Sequence, residues 1–154
     1  MPQWTVEVIQ GQLSRELRRS VLRPHYALDA ALPGDDRAGV VHLGAFGQAG
    51  DDRVLASACL IFPEPCPWLL AAIGWQLRSM ATDPAWRGSG AGAAILRAAK
   101  QIATDAGATV LWCKARQPAI PFYRRNGFAE FGELFDTELG PHRRMWTELI
   151  EPTD

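Results

Sequence analysis

Two things are scarce in this 154-residue chain, cysteine and net charge. There are three cysteines, Cys59, Cys66 and Cys113, and their spacing fits no zinc pattern. An odd, scattered set of thiols excludes a disulfide framework and suits a reducing, cytoplasmic setting. Cys59 and Cys113 sit in apolar runs and read as buried core, and Cys66, in the segment PCP, reads as a passive loop thiol. The formal net charge is -1, so no general attraction to nucleic acid or an acidic membrane is expected. No stretch reaches the ~18 apolar residues a membrane-spanning helix needs. The opening MPQWTVEVIQ lacks the apolar core of a signal peptide. No internal repeat or low-complexity tract is present. No His, Cys and carboxylate cluster has metal-ligand spacing, so no metal is expected.

The length suggests one domain spanning 1–154, and 47% hydrophobic residues are enough for a core. TVEVI (5–9) alternates as a strand does. Residues 14–23 carry Leu17, Val21 and Leu22 at helical spacing behind Leu13, with arginines on the opposite face, Ser14 as the expected N-cap and Pro24 as the stop. GVVHLGAFG (39–47) and RVLASACLIF (53–62) read as strands joined by a hairpin at Gly50-Asp51-Asp52. WQLRSMAT (75–82) is a further strand. A helix over 92–106 places Ile95, Ala98, Ala99, Ile102 and Ala106 on one stripe, with Gly107 ending it. TVLWC (109–113) is a short strand, PAIPFYRRNGF (118–128) a short helix, and FAEFGELF and HRRMWTELI a final strand pair. The class is α+β or α/β with a mixed sheet.

The richest stretch is Arg87-Gly-Ser-Gly90-Ala-Gly92-Ala93, directly before the long helix. The first amides of a helix have no internal partner and carry the positive end of its dipole. Glycines let ligand oxygens approach them without a Cβ in the way, which suits phosphate. A Walker loop would need Gly-Lys-Ser/Thr, which is missing. A dinucleotide fingerprint fits Gly88, Gly90 and Ala93. About sixty residues follow the loop, too few for the rest of a doubly wound sheet, and Lys114 and Arg116 stand where an acidic residue is expected. A ligand-free tight turn is the plain alternative.

Read as Gln/Arg-x-x-Gly-x-Gly/Ala, the loop resembles the acetyl-CoA signature of the GNAT N-acetyltransferase superfamily. SMATDPAWRGSGAGAAIL is similar to that family's fourth strand, turn and third helix. ARQPAIPFYRRNGF is similar to its A-x-x-F-Y-x-x-x-G-F helix, through Ala119, Phe122, Tyr123, Gly127 and Phe128. LGPHRRMW resembles a bacterial subgroup of ElaA-type proteins. The two motifs cover 75–128.

The resemblance implies a GNAT fold of six or seven mostly antiparallel strands with about four helices, the fourth and fifth strands splaying apart. It implies acetyl transfer from acetyl-CoA to a small-molecule or peptide amine, with a homodimer among the allowed states. By carry-over, Arg87, Gly88, Ser89, Gly90, Ala91, Gly92 and Ala93 would hold the pyrophosphate. The backbone of Met80, Ala81 and Thr82 would pair with the pantetheine arm. Ala119 and Phe122 would pack at the thiol end, and Tyr123 would serve the leaving sulfur as general acid. The family often has Asn where Arg116 stands, which leaves that cofactor contact to an arginine. No general base is evident: Glu133, Asp136, His142 and His25 read as surface groups, His42 as a satisfied structural histidine, and HRR (142–144) as a solvated cluster. Two rival readings are an acyl-CoA-binding sensor without transferase activity and an NADP enzyme on Gly88-x-Gly90-x-x-Ala93. The loops near 23–37, 63–74 and 133–142 are expected to choose the acceptor.

Overall fold

A computed structural model describes residues 4–150 of the chain. The elements run β1 (Thr5–Ile9), α1 (Gly11–Leu22), β2 (Val41–Ala49), β3 (Asp52–Pro63), β4 (Gly74–Thr82), α2 (Ala91–Asp105), β5 (Val110–Arg116), α3 (Ile120–Arg125), β6 (Ala129–Thr137) and β7 (Gly140–Glu148). Short 3-10 turns at Pro84–Trp86 and Gln117–Ala119 complete the order. The seven strands form one mixed sheet in the order β1-β2-β3-β4-β5-β7-β6. Three α-helices are present among the described residues, where about four were expected. No helix among those residues is long and apolar enough to cross a membrane.

Contacts group the chain into two compact units, one of Met1–Phe62 with Arg78–Ala99 and one of Pro63–Leu77 with Lys100–Asp154. In the first, β1 pairs antiparallel with β2, and β2 with β3 across the expected Gly50 hairpin, where Ala49 faces Asp52 and Gly50 has φ +64°. Its interior is apolar: Leu43, Ala45, Ala58, Leu60, Phe62, Ile95 and Leu96 are all buried.

Helix α1 departs from its sequence pattern. It begins at Gly11 rather than Ser14, and its N-cap Gln10 makes no side-chain cap. Ser14 lies inside it, buried, its Oγ donating to the Gly11 carbonyl at 3.2 Å. Arg18, expected on the wet face, is fully buried. It donates to Asp35 Oδ1 at 2.7 Å, to Ser14 Oγ at 2.9 Å and to the Gly11 carbonyl at 3.0 Å. A guanidinium keeps its charge, so burial demands such a full set of acceptors. Leu13, expected inside, is 66% exposed. Asp35 stands seventeen residues from Arg18, beyond any helical periodicity.

His42 is buried, as a structural histidine should be, but it is not satisfied. Its Nε2 stands 3.8 Å from Asp35 Oδ1, and its Nδ1 is buried with no protein partner. Burial first, then the Arg18 charge, holds its pKa below the ordinary imidazole range.

In the second unit β4 opens parallel to β5, from Gly74↔Val110 to Leu77↔Cys113. The ladder goes no further, although β4 itself continues to Thr82. β5 pairs antiparallel with β7, and β7 with β6. Cys66, Val110 and Trp112 form a small core against Trp68, Leu69, Ala72 and Trp146. The Trp112 indole donates to the Glu64 carbonyl at 3.0 Å. Only glycine fits at 74, because a Cβ there would stand 2.6 Å from that same backbone oxygen. All three cysteines are buried free thiols, so Cys66 is buried despite its loop position.

Candidate active site

Strand β4 supplies the first group of candidate residues. Ala81 is buried, and Met80 and Thr82 are half-buried. Ser57 Oγ on β3 donates to the Ala81 carbonyl at 3.0 Å and lies 2.9 Å from Thr82 Oγ1. The Asp83 amide donates to the Ala56 carbonyl at 2.8 Å. These bonds anchor the end of β4 to β3. Two residues before Ala81, Ser79 has φ +54°, the only non-glycine among the described residues in the left-handed region. Such a conformation inside a strand costs an L-residue about 1–2 kcal/mol. Strain of that kind gathers where a strand must be re-aimed. Sequence reasoning passed over Ser79, since nothing about a serine in WQLRSMAT signals a positive φ.

After Thr82 the chain turns through Pro84–Trp86, with the Asp83 carboxylate accepting from the Ala85 amide at 2.9 Å. Gly88 has φ +74° and Gly90 φ +94°, so both glycines are used for their left-handed conformation. A Cβ at Gly88 would meet nothing within 4 Å, so the space before it is open. Ser89 Oγ accepts from the Ala91 amide at 3.4 Å and donates to the Trp86 carbonyl at 2.5 Å. Arg87 is exposed, and no acidic residue stands in the first turn of α2. The amides of Gly92 and Ala93 therefore open a fifteen-residue helix with its dipole uncompensated by a side chain. From the other end of the chain, the Trp4 indole donates to the Ser89 carbonyl at 3.2 Å and packs edge-on against Trp86, centroids 5.3 Å apart.

Helix α2 buries Ala94, Ile95, Leu96, Ala99 and Ala103. The expected stripe is right at Ile95 and Ala99 and wrong at Ala106, which is exposed. Gly107 ends the helix at φ +95°, with the Ala108 amide donating to the Ala103 carbonyl at 2.9 Å.

The second group lies on β5 and α3, in the other unit. Arg116 is half-buried at the end of β5, opposite His142 on β7. Ala119 is the N-cap of α3, with Pro121 in the first turn. Phe122 is half-buried. Tyr123 is buried, only 4% exposed, and its ring meets those of Phe122 and Phe128 edge-on at 5.3 Å each. The six-residue helix is closed by Gly127 at φ +91°, and the Phe128 amide reaches back to the Tyr123 carbonyl at 3.0 Å. Lys100 on α2 fastens the turn by donating to the Asn126 carbonyl at 2.6 Å. The Tyr123 carbonyl thus accepts from both the Asn126 and the Phe128 amides, which ties its backbone to the turn that follows.

Of the candidate bases, Glu133, Asp136 and His25 are exposed, as expected. His142 is not: it is buried, with Nδ1 held 3.1 Å from Thr137 Oγ1 and 2.9 Å from the Gly140 carbonyl. The HRR segment is therefore not a freely solvated cluster. Among the described residues no group of His, Cys, Asp or Glu is arranged to hold a metal ion. The thiols are unsuited to nucleophilic attack. Burial pushes Cys59 up to about 12 and Cys113 further still, so both stay protonated near neutrality.

The site thus sits on a mixed seven-stranded sheet that carries a glycine turn and a long helix directly after β4. Residues 13–128 match the model of the acetyltransferase (GNAT) family, and the chain belongs to that family. It is 32% identical over 146 residues to YitI of Bacillus subtilis, an uncharacterised N-acetyltransferase, covering 94% of this chain and 95% of that protein. Solved structures are similar too. E. coli ElaA aligns with a TM-score of 0.64 at 22% identity, covering 96% of this chain and all (100%) of that one. An aminoglycoside 6'-N-acetyltransferase complexed with coenzyme A aligns at 0.68 with 11% identity, covering 97% and 99%. The chain is thus a GNAT-type N-acetyltransferase, a family whose members draw on acetyl-CoA and act on amines. This displaces the dinucleotide reading of Gly88-x-Gly90-x-x-Ala93.

Proposed function

We propose that this chain transfers an acetyl group from acetyl-CoA directly to a primary amine, in the cytoplasm, with both reactants bound at once. The observation that carries the reading is the turn at Gly88 and Gly90, opening α2 straight after β4. The turn from Arg87 to Ala93 suits a pyrophosphate: two left-handed glycines, open space before Gly88 and no acidic side chain in the first helical turn. Arg87 adds a charge-assisted bond from solvent. Met80, Ala81 and Thr82 would pair with the pantetheine arm through their backbones, and beyond Leu77 the β4 ladder to β5 has already ended. Ala119 and Phe122 would pack at the thioester end, with Arg116 toward the phosphates.

Acetyl-CoA supplies an activated thioester. The neutral amine attacks its carbonyl, a C–N bond forms and the C–S bond breaks. The amine loses a proton to water, and the departing sulfur takes one from the Tyr123 hydroxyl. Tyrosine titrates near ~10 and a thiol near ~8.5, so this transfer is uphill by roughly 2 kcal/mol on unperturbed values. Tyr123 would act by orientation and by stabilising charge as it develops on sulfur. An ordinary alkylamine of pKa ~10.4 costs about 4.6 kcal/mol to deprotonate at pH 7. Holding two reactants in register supplies much of the rate.

The test is the melting temperature with acetyl-CoA, against NADPH at equal concentration. Ligand at one hundred times its Kd adds about 2.7 kcal/mol, a shift of several degrees in a domain this size. A rise with acetyl-CoA and none with NADPH is expected. A response to NADPH alone would overturn the proposal.

A further inference from the structure

One cleft of the first unit takes no part in the chemistry above. It has a volume of about 420 Å³ and lies where β1 hands the chain to α1, with Ile9, Gln10 and Gly11 on its wall. That size is ordinary for a small-molecule site. His42, which pairs with Ile9 across the β1–β2 ladder, lines it as well. Its ring stands against the first residue of α1, since a Cβ at Gly11 would be 2.6 Å from the ring's Nε2 and 2.8 Å from its Cε1. Strand β1 separates the cleft from the glycine turn. Trp4, before its start, touches Ser89, and the strand then carries the chain about 13 Å from Thr5 to Ile9.

Two side chains in the cleft hold a buried nitrogen with no hydrogen-bond partner in the protein, Arg15 Nε and His42 Nδ1. His42 is only 7% exposed, so solvent does not reach its ring freely. Asp35 Oδ1 stands 3.8 Å from Nε2, too far to fix the ring's proton there, so Nδ1 can carry it and donate. The backbone adds donors of its own. Gln10 gives α1 no side-chain cap, and the first turn of this twelve-residue helix holds no acidic residue. Its leading amides therefore keep the positive end of the dipole uncompensated. Together these groups call for a charged acceptor. One carboxylate, Asp35, lines the cleft too, but Arg18 engages it at 2.7 Å. Its presence leaves room for one negative charge rather than two. Val8, which is 65% exposed, and the half-buried Val40 and Val41 give the rest of the cleft an apolar wall. A single negative charge on a short hydrocarbon chain matches both parts.

We propose that this cleft is a binding site for a small aliphatic carboxylate, its charge held by Arg15, His42 and the leading amides of α1, and its chain by Val8, Val40 and Val41. The site is separate from the acyl-transfer reading and does not rest on it.

The experiment titrates the whole chain, with and without saturating CoA, with acetate, butyrate and hexanoate. Butyramide and inorganic phosphate are the controls. The readout is the nitrogen-resolved imidazole NMR spectrum, in which a His42→Gln variant tells His42 from His25 and His142. Butyrate should move the His42 signals and raise the melting temperature. Binding should tighten from acetate to hexanoate, butyramide should be silent, and CoA should not displace the acids. Arg15→Met keeps the apolar stem. It should weaken butyrate by about 10-fold or more, the worth of a charge-assisted bond, and leave the acetyl-CoA shift unchanged. The His42 signals of the unsubstituted chain test the site even if that variant folds poorly. Signals unmoved by all three acids, equal binding of butyramide, a response to phosphate alone, displacement by CoA, or a butyrate affinity that survives Arg15→Met would each overturn the proposal.

Discussion

Tyr123 concentrates the argument at the scale of single residues. It is buried between Phe122 and Phe128, and its carbonyl is held by backbone bonds from the turn that ends its short helix. Tyr123→Phe keeps the ring and removes the hydroxyl. We expect kcat to fall by about 100-fold or more, the usual worth of a positioned acid, with acetyl-CoA affinity unchanged in a thermal-shift titration. Unchanged turnover would mean the hydroxyl is not the acid. The short helix around Tyr123 was readily legible in the sequence, because prolines at its opening and a glycine stop fall in one short motif. The sequence could not disclose Arg18, whose burial depends on a carboxylate seventeen positions away, nor the burial of His142, which depends on a threonine across a hairpin. Polar residues in an amphipathic pattern read as wet unless their partner is already known.

Elements were legible wherever glycine, proline or alternation punctuated the chain. The Gly50 hairpin, the glycine turn before α2 and the Gly107 stop all followed from such signals. The start of α1 did not, because Gln10 is a poor cap and Ser14 a good one, while Arg18, held by Asp35, bonds back to Ser14 and the Gly11 carbonyl inside the first turns. β4 holds a second surprise in Ser79. Ser79→Gly removes the left-handed strain but adds freedom to the unfolded chain, so stability should change by less than about 1 kcal/mol. Ser79→Val places a β-branched residue at φ +54° and should cost more, about 2 kcal/mol. Paired denaturant melts of the two variants measure the difference. Equal stability for both would mean that the strand relaxes out of the left-handed conformation.

For the molecule as a whole, the three cysteines make a convenient gauge. None is exposed, and Cys59, Cys66 and Cys113 are spread over both units. An aromatic disulfide reagent should find almost no reactive thiol in native buffer and three after full unfolding. If the chain unfolds in one step, all three should become reactive along the same denaturant curve. One thiol reacting early would reveal that its unit opens by itself.

Trp4 leaves a last consequence, an optical one. Its indole is hydrogen-bonded to the Ser89 carbonyl and packed edge-on to Trp86, so two of the six tryptophans border the glycine turn. An indole's emission follows the polarity and the hydrogen bond at its nitrogen. The glycine turn proposed to hold the pyrophosphate therefore carries a built-in fluorophore pair, and binding there is expected to change the emission of the unlabelled protein, with Trp4→Phe as the blank.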